Sequence, residues 1–252
     1  MRRIAVTLDA FEVSPQALEQ ALQLAERMGA QLEAIFIEDI DLIEISELPF
    51  VRELRPASRS EREIDVARME QELRALARRA ERQLSEQAAR HNVAWTFRIW
   101  RGSIDSDLLA ADLEADVLAL SRLGAALTHS RGARTRSTAV TVLYTGTGAS
   151  KRALDTAEKL ASDPQRELFL ILPVEDEDEA VRLQETALEQ LGDAAARAHF
   201  FQMAGRSLAG LTELLTDTNS SVLIIERDDP LLQALSMKQN LCKLHCPLLL
   251  VR

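Results

Sequence analysis

A chain that repeats itself can fold only into what two copies of one unit can build, and this chain repeats itself. The stretch Val6-Thr7-Leu8-Asp9, followed by Ser14, Ala17, Leu18, Ala21, Leu24 and Ala25, recurs without a gap as Val142-Leu143-Tyr144-Thr145, followed by Ser150, Ala153, Leu154, Ala157, Leu160 and Ala161. The register carries into the next segment, where Leu32 and Ile35 match Leu168 and Ile171. Each copy opens with a short run of β-branched and aliphatic residues, then a loop, then apolar positions three and four apart. That is a strand followed by an amphipathic helix. In the first copy Ser14 is placed to cap a helix over about Pro15–Met28, which Gly29 ends. Second strands are expected at about Gln31–Ile37 and Glu167–Leu172. Strand, helix, strand is the crossover unit of a parallel sheet.

Beyond this unit, Ser60-x-x-Glu63 reads as a capping box opening a long helix with the stripe Val66, Met69, Leu73, Leu76, Ala80 and Leu84. The second copy has a shorter counterpart at about Asp176–Leu191. Strands near Ala94–Trp100 and His199–Met203 each lead into a Gly- and Ser-containing helix start, Gly102-Ser103 and Gly205-Arg206-Ser207. Fully apolar strands follow at Val117–Leu120 and Val222–Ile225, as suits a sheet covered on both faces. Only the second copy then has room for a final helix, around Leu231–Leu244, and a final strand at Pro247–Val251. The first copy is truncated, which leaves Val117–Leu120 as a sheet edge that the other half, another chain or a loop must cover.

Composition narrows the function. With 252 residues, 46% hydrophobic and 28% charged, the chain is expected to fold throughout, as two domains. Forty acidic against thirty basic side chains give a net charge of −10, a field that repels nucleic acid and anionic membrane surfaces. No apolar run approaches spanning length, so membrane insertion and export are not expected. Cys242 and Cys246 are then thiols in a reducing cytoplasm. With His245 they supply too few ligands for structural zinc, and no metal is expected. Trp95 and Trp100, five residues apart on one strand, should face opposite sides as packing residues.

The opening Ile4-Ala5-Val6-Thr7-Leu8-Asp9, the block Arg101-Gly102-Ser103 leading to Asp116-Val117-Leu118-Ala119-Leu120-Ser121-Arg122-Leu123-Gly124, and the terminal Cys246-Pro247-Leu248-Leu249-Leu250-Val251-Arg252 resemble the universal stress protein family in order and spacing. The resemblance covers nearly the whole chain as a tandem pair. It implies an α/β fold of two fused doubly wound parallel-sheet domains of the adenine nucleotide alpha hydrolase-like type, strand order 3-2-1-4-5, with a cleft at the carboxyl ends of the strands. Residues 1–136 form the first, truncated domain with an insertion at 39–59, and residues 137–252 the complete second domain. The insertion carries Ile40, Leu42, Ile43, Ile45, Leu48, Phe50, Val51 and Leu54. It reads either as a local helix packed over the domain or between the two halves, or as a lid over a small apolar ligand or a partner surface.

In nucleotide-binding members of that family an Asp ending the first strand contacts adenosine, and Asp9 stands there. A motif G-x2-G-x9-G-[ST] after the fourth strand wraps the phosphates with backbone N–H groups. Here Ser121 replaces the leading Gly, Gly124 is kept, and Arg134-Thr135 stands where the closing pair belongs. Arg122, Arg131, Arg134 and Arg136 with His129 form a basic cluster, either a side-chain phosphate loop or a solvated linker. In the second copy Glu226 and Asp229 take the two leading Gly positions and Thr145 replaces the Asp.

The resulting expectation is a non-enzymatic stress-response or regulatory protein, a homodimer with a degenerate nucleotide site, acting through a small ligand or protein partner and requiring no cofactor. The possible anion site is Asp9, Ser121, Gly124, Arg131 and Arg134. The alternative is an ATP- or AMP-binding protein or slow ATP hydrolase using the first-half cleft. No Ser/His/Asp or metal-ligand constellation accompanies it, since His91, His129, His199 and His245 are scattered.

Overall fold

A computed structural model describes residues 2–9, 15–40, 44, 51–55, 60–63, 66–102, 114–120, 139–163, 166–232, 244 and 246–252. The N-terminal half contributes β1 (Arg3–Asp9), α1 (Pro15–Met28), β2 (Gln31–Asp39), β3 (Arg52–Arg55), β4 (Ser60–Glu63), α2 (Val66–His91), β5 (Trp95–Gly102) and β6 (Val117–Leu120). The C-terminal half contributes β7 (Ala139–Leu143), α3 (Gly148–Leu160), β8 (Leu168–Leu172), α4 (Glu177–Leu191), a 3-10 turn (Gly192–Arg197), β9 (Ala198–Gln202), α5 (Leu208–Asp217), β10 (Ser220–Glu226) and β11 (Leu248–Val251).

Nine of the eleven strands among the described residues form one sheet, in the order β5-β2-β1-β6-β11-β10-β7-β8-β9. Pairing is parallel throughout except between β11 and β6. The two central strand pairs share one register: Ile4 opposes Leu32 in the N-terminal half, and Val140 opposes Leu168 in the C-terminal half. Alternate residues feed two cores. Ile4, Val6 and Leu8 pack with Leu18 and Leu22 of α1 and Leu73, Ala77, Ala80 and Leu84 of α2, joined on the same face by Leu154 of α3 and Ala187 of α4. Ala5, Ile35, Leu118 and Ile225 face the other way, against Leu211 and Leu215 of α5. Helices therefore cover both faces, and the fold is a doubly wound α/β sheet. No helix among the described residues is long and apolar enough to cross a membrane.

The edge at Val117–Leu120 is closed from within the chain. β11 lies antiparallel to β6, with Leu120 opposite Leu248 and Val117 opposite Val251, and parallel to β10 on its other side. Its four residues are all buried, Leu249 and Val251 in one core and Leu248 and Leu250 in the other. A strand apolar on both faces demands two strand neighbours and two covered faces, and this slot supplies them. The edge therefore needs no second chain to cover it.

Two local expectations are corrected. Ser60–Glu63 does not cap α2, which starts at Val66; it is strand β4, antiparallel to β3. That register opposes Arg52 to Glu63 and Glu53 to Arg62. The described end of the insertion is thus a strand, Arg52–Arg55, while its apolar residues at 41–43 and 45–50 lie outside the described residues. Trp95 and Trp100 do face opposite sides, one packing on each core.

Candidate functional site

In a doubly wound sheet ligands gather at the carboxyl ends of the strands, so the two crests of interest follow β1 with β6 and β7 with β10. On the first, the backbone of Asp9 ends β1, between β2 and β6. Ser121, Gly124, Arg131 and Arg134 lie outside the described residues, as do the other members of the basic segment. What the crest does show is Glu38, buried at the end of β2, accepting from Arg101 Nε and Nη2 at 3.2 and 3.1 Å. Glu70 of α2 stands 3.9 Å from the same Nη2.

The second crest is described in full. Glu226 ends β10 and is 7% exposed. It accepts from Thr145 Oγ1 at 3.2 Å and from Thr147 Oγ1 at 2.5 Å. Thr147 is also the N-cap of α3, its hydroxyl accepting from Ser150 N at 3.0 Å. The cap of this helix is therefore Thr147, three residues ahead of Ser150. Between the two threonines Gly146 sits at φ +76°, where a Cβ would meet Leu183 Cδ2 at 2.6 Å. Only glycine fits that bend without strain, so the bend fixes both hydroxyls on the carboxylate.

Asp229 is two residues further from the strand end than Arg227 and is fully enclosed. Its Oδ1 accepts from Leu231 N at 2.8 Å. Its Oδ2 lies 3.3 Å from Arg206 Nη1, close enough for an ion pair, yet among the described residues no donor meets it in hydrogen-bonding geometry. Burial pushes the carboxyl above its usual range; the Leu231 N–H and Arg206 pull it back, and Glu226 pushes it further up. Two enclosed carboxylates therefore stand on this crest, and Arg206 pairs with Asp229 alone among the described residues. The crest can accept hydrogen bonds or a positive group, but a phosphate a few ångströms away meets repulsion of about 4 kcal/mol per unit charge at 4 Å in a partly buried setting.

Sequence reasoning placed Glu226, Asp229 and Thr145 on this crest and missed Thr147 and Arg206 as their partners. A Thr three residues ahead of Ser150, at a cap position, was the readable signal for the first; Arg206 comes from a different crossover and left none. Among the described residues no group of three or more His, Cys, Asp or Glu side chains is arranged to hold a metal. Cys246 is buried, and Cys242 and His245 lie outside the described residues.

The sequence matches no protein-family model and no curated protein. Solved structures do match. A universal stress protein from Archaeoglobus fulgidus superposes with a TM-score of 0.56 at 11% identity, covering 98% of this chain and 96% of that one. The architecture is that of the universal stress proteins. A protein of the universal stress protein family from Burkholderia pseudomallei aligns with a TM-score of 0.32 at 18% identity, over 46% of this chain and 96% of its own. A functionally unknown protein from Pseudomonas aeruginosa aligns with a TM-score of 0.46 at 11% identity, over 100% of this chain and 92% of its own. At these identities the likeness is one of fold, and the residues on the crest must speak for function.

Proposed function

We propose that this chain is a non-catalytic cytoplasmic stress-response or regulatory protein, built from two fused universal stress protein-like units, whose C-terminal nucleotide position is closed by its own carboxylates. It acts by binding a ligand or partner and not by turnover. The observation that carries this reading is Glu226, seated at the carboxyl end of β10 with the hydroxyls of Thr145 and Thr147 already donated to it. Those donors would otherwise be offered to a ligand, and Asp229 behind them adds a second negative charge. The shared register of β1 with β2 and of β7 with β8 supports the fusion of two copies. With the sheet centre closed within one chain, β5 and β9 are the outer strands left to pair with a second copy among the described residues.

Isothermal titration of the full chain with Mg-ATP tests the proposal, together with native mass spectrometry of the protein as purified. The C-terminal crest should give no saturable heat. Micromolar ATP binding that disappears on Thr147→Val or strengthens on Glu226→Gln would place a working nucleotide site on this crest and end the proposal.

A further inference from the structure

Three arginines from three separate segments converge on the carboxyl-terminal end of α3. Arg27, in the last turn of α1, donates through Nη1 to the carbonyls of Lys159 and Leu160, the latter at 2.8 Å. Arg166, just ahead of β8, donates Nη1 to the same Leu160 carbonyl at 3.0 Å and Nη2 to Gln23 Oε1 at 3.2 Å. Arg197, closing the 3-10 turn, donates Nη1 to the carbonyls of Ala161, Asp163 and Arg166, the last two at 3.0 and 3.3 Å.

A helix end leaves its last four carbonyls without intrahelical donors and carries about half a negative charge. Three guanidinium charges meet those carbonyls and exceed that half charge. Arg27 and Arg166 share one acceptor, which sets like charges against each other; burial first, and Arg27 next, loosen the Arg166 proton. Among the described residues none of the three has a carboxylate within ion-pair distance. Glu19 and Asp163 act on Arg166 only from further off. Arg27 and Arg197 each engage a single nitrogen, which leaves Nε and Nη2 of both without an acceptor among the described residues. Concentrated positive charge with unused, fork-shaped donors, in a chain of net charge −10, is what a multivalent oxyanion needs.

We propose that Arg27, Arg166 and Arg197 form a binding site for a compact oxyanion of the phosphate or pyrophosphate class. It lies at the amino ends of β7, β8 and β9, at the other end of these strands from Glu226 and Asp229, so it stands or falls apart from the crest. A free anion and the terminal phosphates of a nucleotide present the same chemistry to it.

The test is titration of the full chain with pyrophosphate at low ionic strength. Binding should weaken at least about tenfold in Arg27→Gln and in Arg197→Gln, as expected for losing charge-assisted hydrogen bonds. It should also weaken as salt rises from about 50 to about 300 mM, and it should be unchanged in Glu226→Gln. ATP that displaces pyrophosphate assigns nucleotide phosphates as a source; ATP that fails to displace it leaves the free anion. ATP affinity lost in Arg27→Gln but kept in Thr147→Val belongs here and not to the crest. Independently of any variant, pyrophosphate must shift the arginine side-chain Nε–H resonances of the wild type. No binding by the wild type at about 10 mM pyrophosphate in ~50 mM salt, equal binding by both arginine variants, or unmoved arginine resonances each overturn the proposal.

Discussion

Replacing Thr147 by Val keeps the shape of the side chain and removes the hydroxyl that joins α3 to β10. Two interactions go with it. The cap on Ser150 N, made at 3.0 Å, contributes about 1 kcal/mol. The bond to the Glu226 carboxylate, made at 2.5 Å, belongs to the charged class worth about 1.5–3 kcal/mol. Thr147 is itself exposed, so water recovers part of the second contribution, whereas Glu226 is enclosed and keeps, among the described residues, only the Thr145 hydroxyl. The loss expected for Thr147→Val is therefore about 2–3 kcal/mol. Thr147→Ser retains both bonds and should stay within about 0.5 kcal/mol of the parent. Urea unfolding followed by circular dichroism reads both halves, which tryptophan fluorescence does not, since Trp95 and Trp100 both lie on β5. If the Val and Ser variants unfold at the same midpoint, Thr147 is a surface residue with no tie to Glu226, and the account of the closed crest fails with it.

Gly146→Ala should cost about 1–2 kcal/mol from the left-handed backbone alone, because Leu183 is half-buried and its terminal methyl can swing aside; in a Leu183→Ala background the same substitution should cost no less, and a chemical denaturation cycle measures both. Asp229→Asn bears on pH. The fold raises this carboxyl above its ordinary 3.8, so the native state binds its proton more tightly than the unfolded chain. Stability should then fall as pH rises from about 4 through the raised folded value, and level off above it. The Asn variant should flatten that segment of a thermal-stability profile, and an unchanged slope would show that Asp229 titrates like a surface acid.

Much of the fold is written locally. The apolar spacing of Ala17, Leu18, Ala21, Leu24 and Ala25 states a helix with one buried face, and α1 runs from Pro15 to Met28, the span the spacing indicates. The runs at Val117–Leu120 and Val222–Ile225 state strands covered on both faces, and both are buried throughout. What a run cannot state is its neighbour. Leu248–Val251 says that it needs two flanking strands, but not that one of them is β6, running the opposite way. Ser60-x-x-Glu63 fails for the complementary reason: the same four residues satisfy a helix cap or a charged strand, and the pairing with Arg52–Arg55 decides. On the crest, the carboxylates at 226 and 229 were legible because they stand where glycine was awaited. The arginine cluster was not, because Arg27, Arg166 and Arg197 acquire meaning only when α1, β8 and the 3-10 turn meet the end of α3.

The placement of β11 has a consequence for synthesis. Until residue 251 has been made and threaded between its neighbours, both β6 and β10 present open edges, Val-Leu-Ala-Leu on one side and the apolar stretch Val-Leu-Ile-Ile of β10 on the other. Nascent chains keep the β6 edge open from its synthesis at residues 117–120 until β11 has been made. Closing a contact so distant in sequence is slow, and an open apolar edge recruits other chains. Ribosome-bound intermediates of this protein should therefore depend on chaperones until the last strand emerges, and the finished fold, once locked, should open at its centre only by global unfolding.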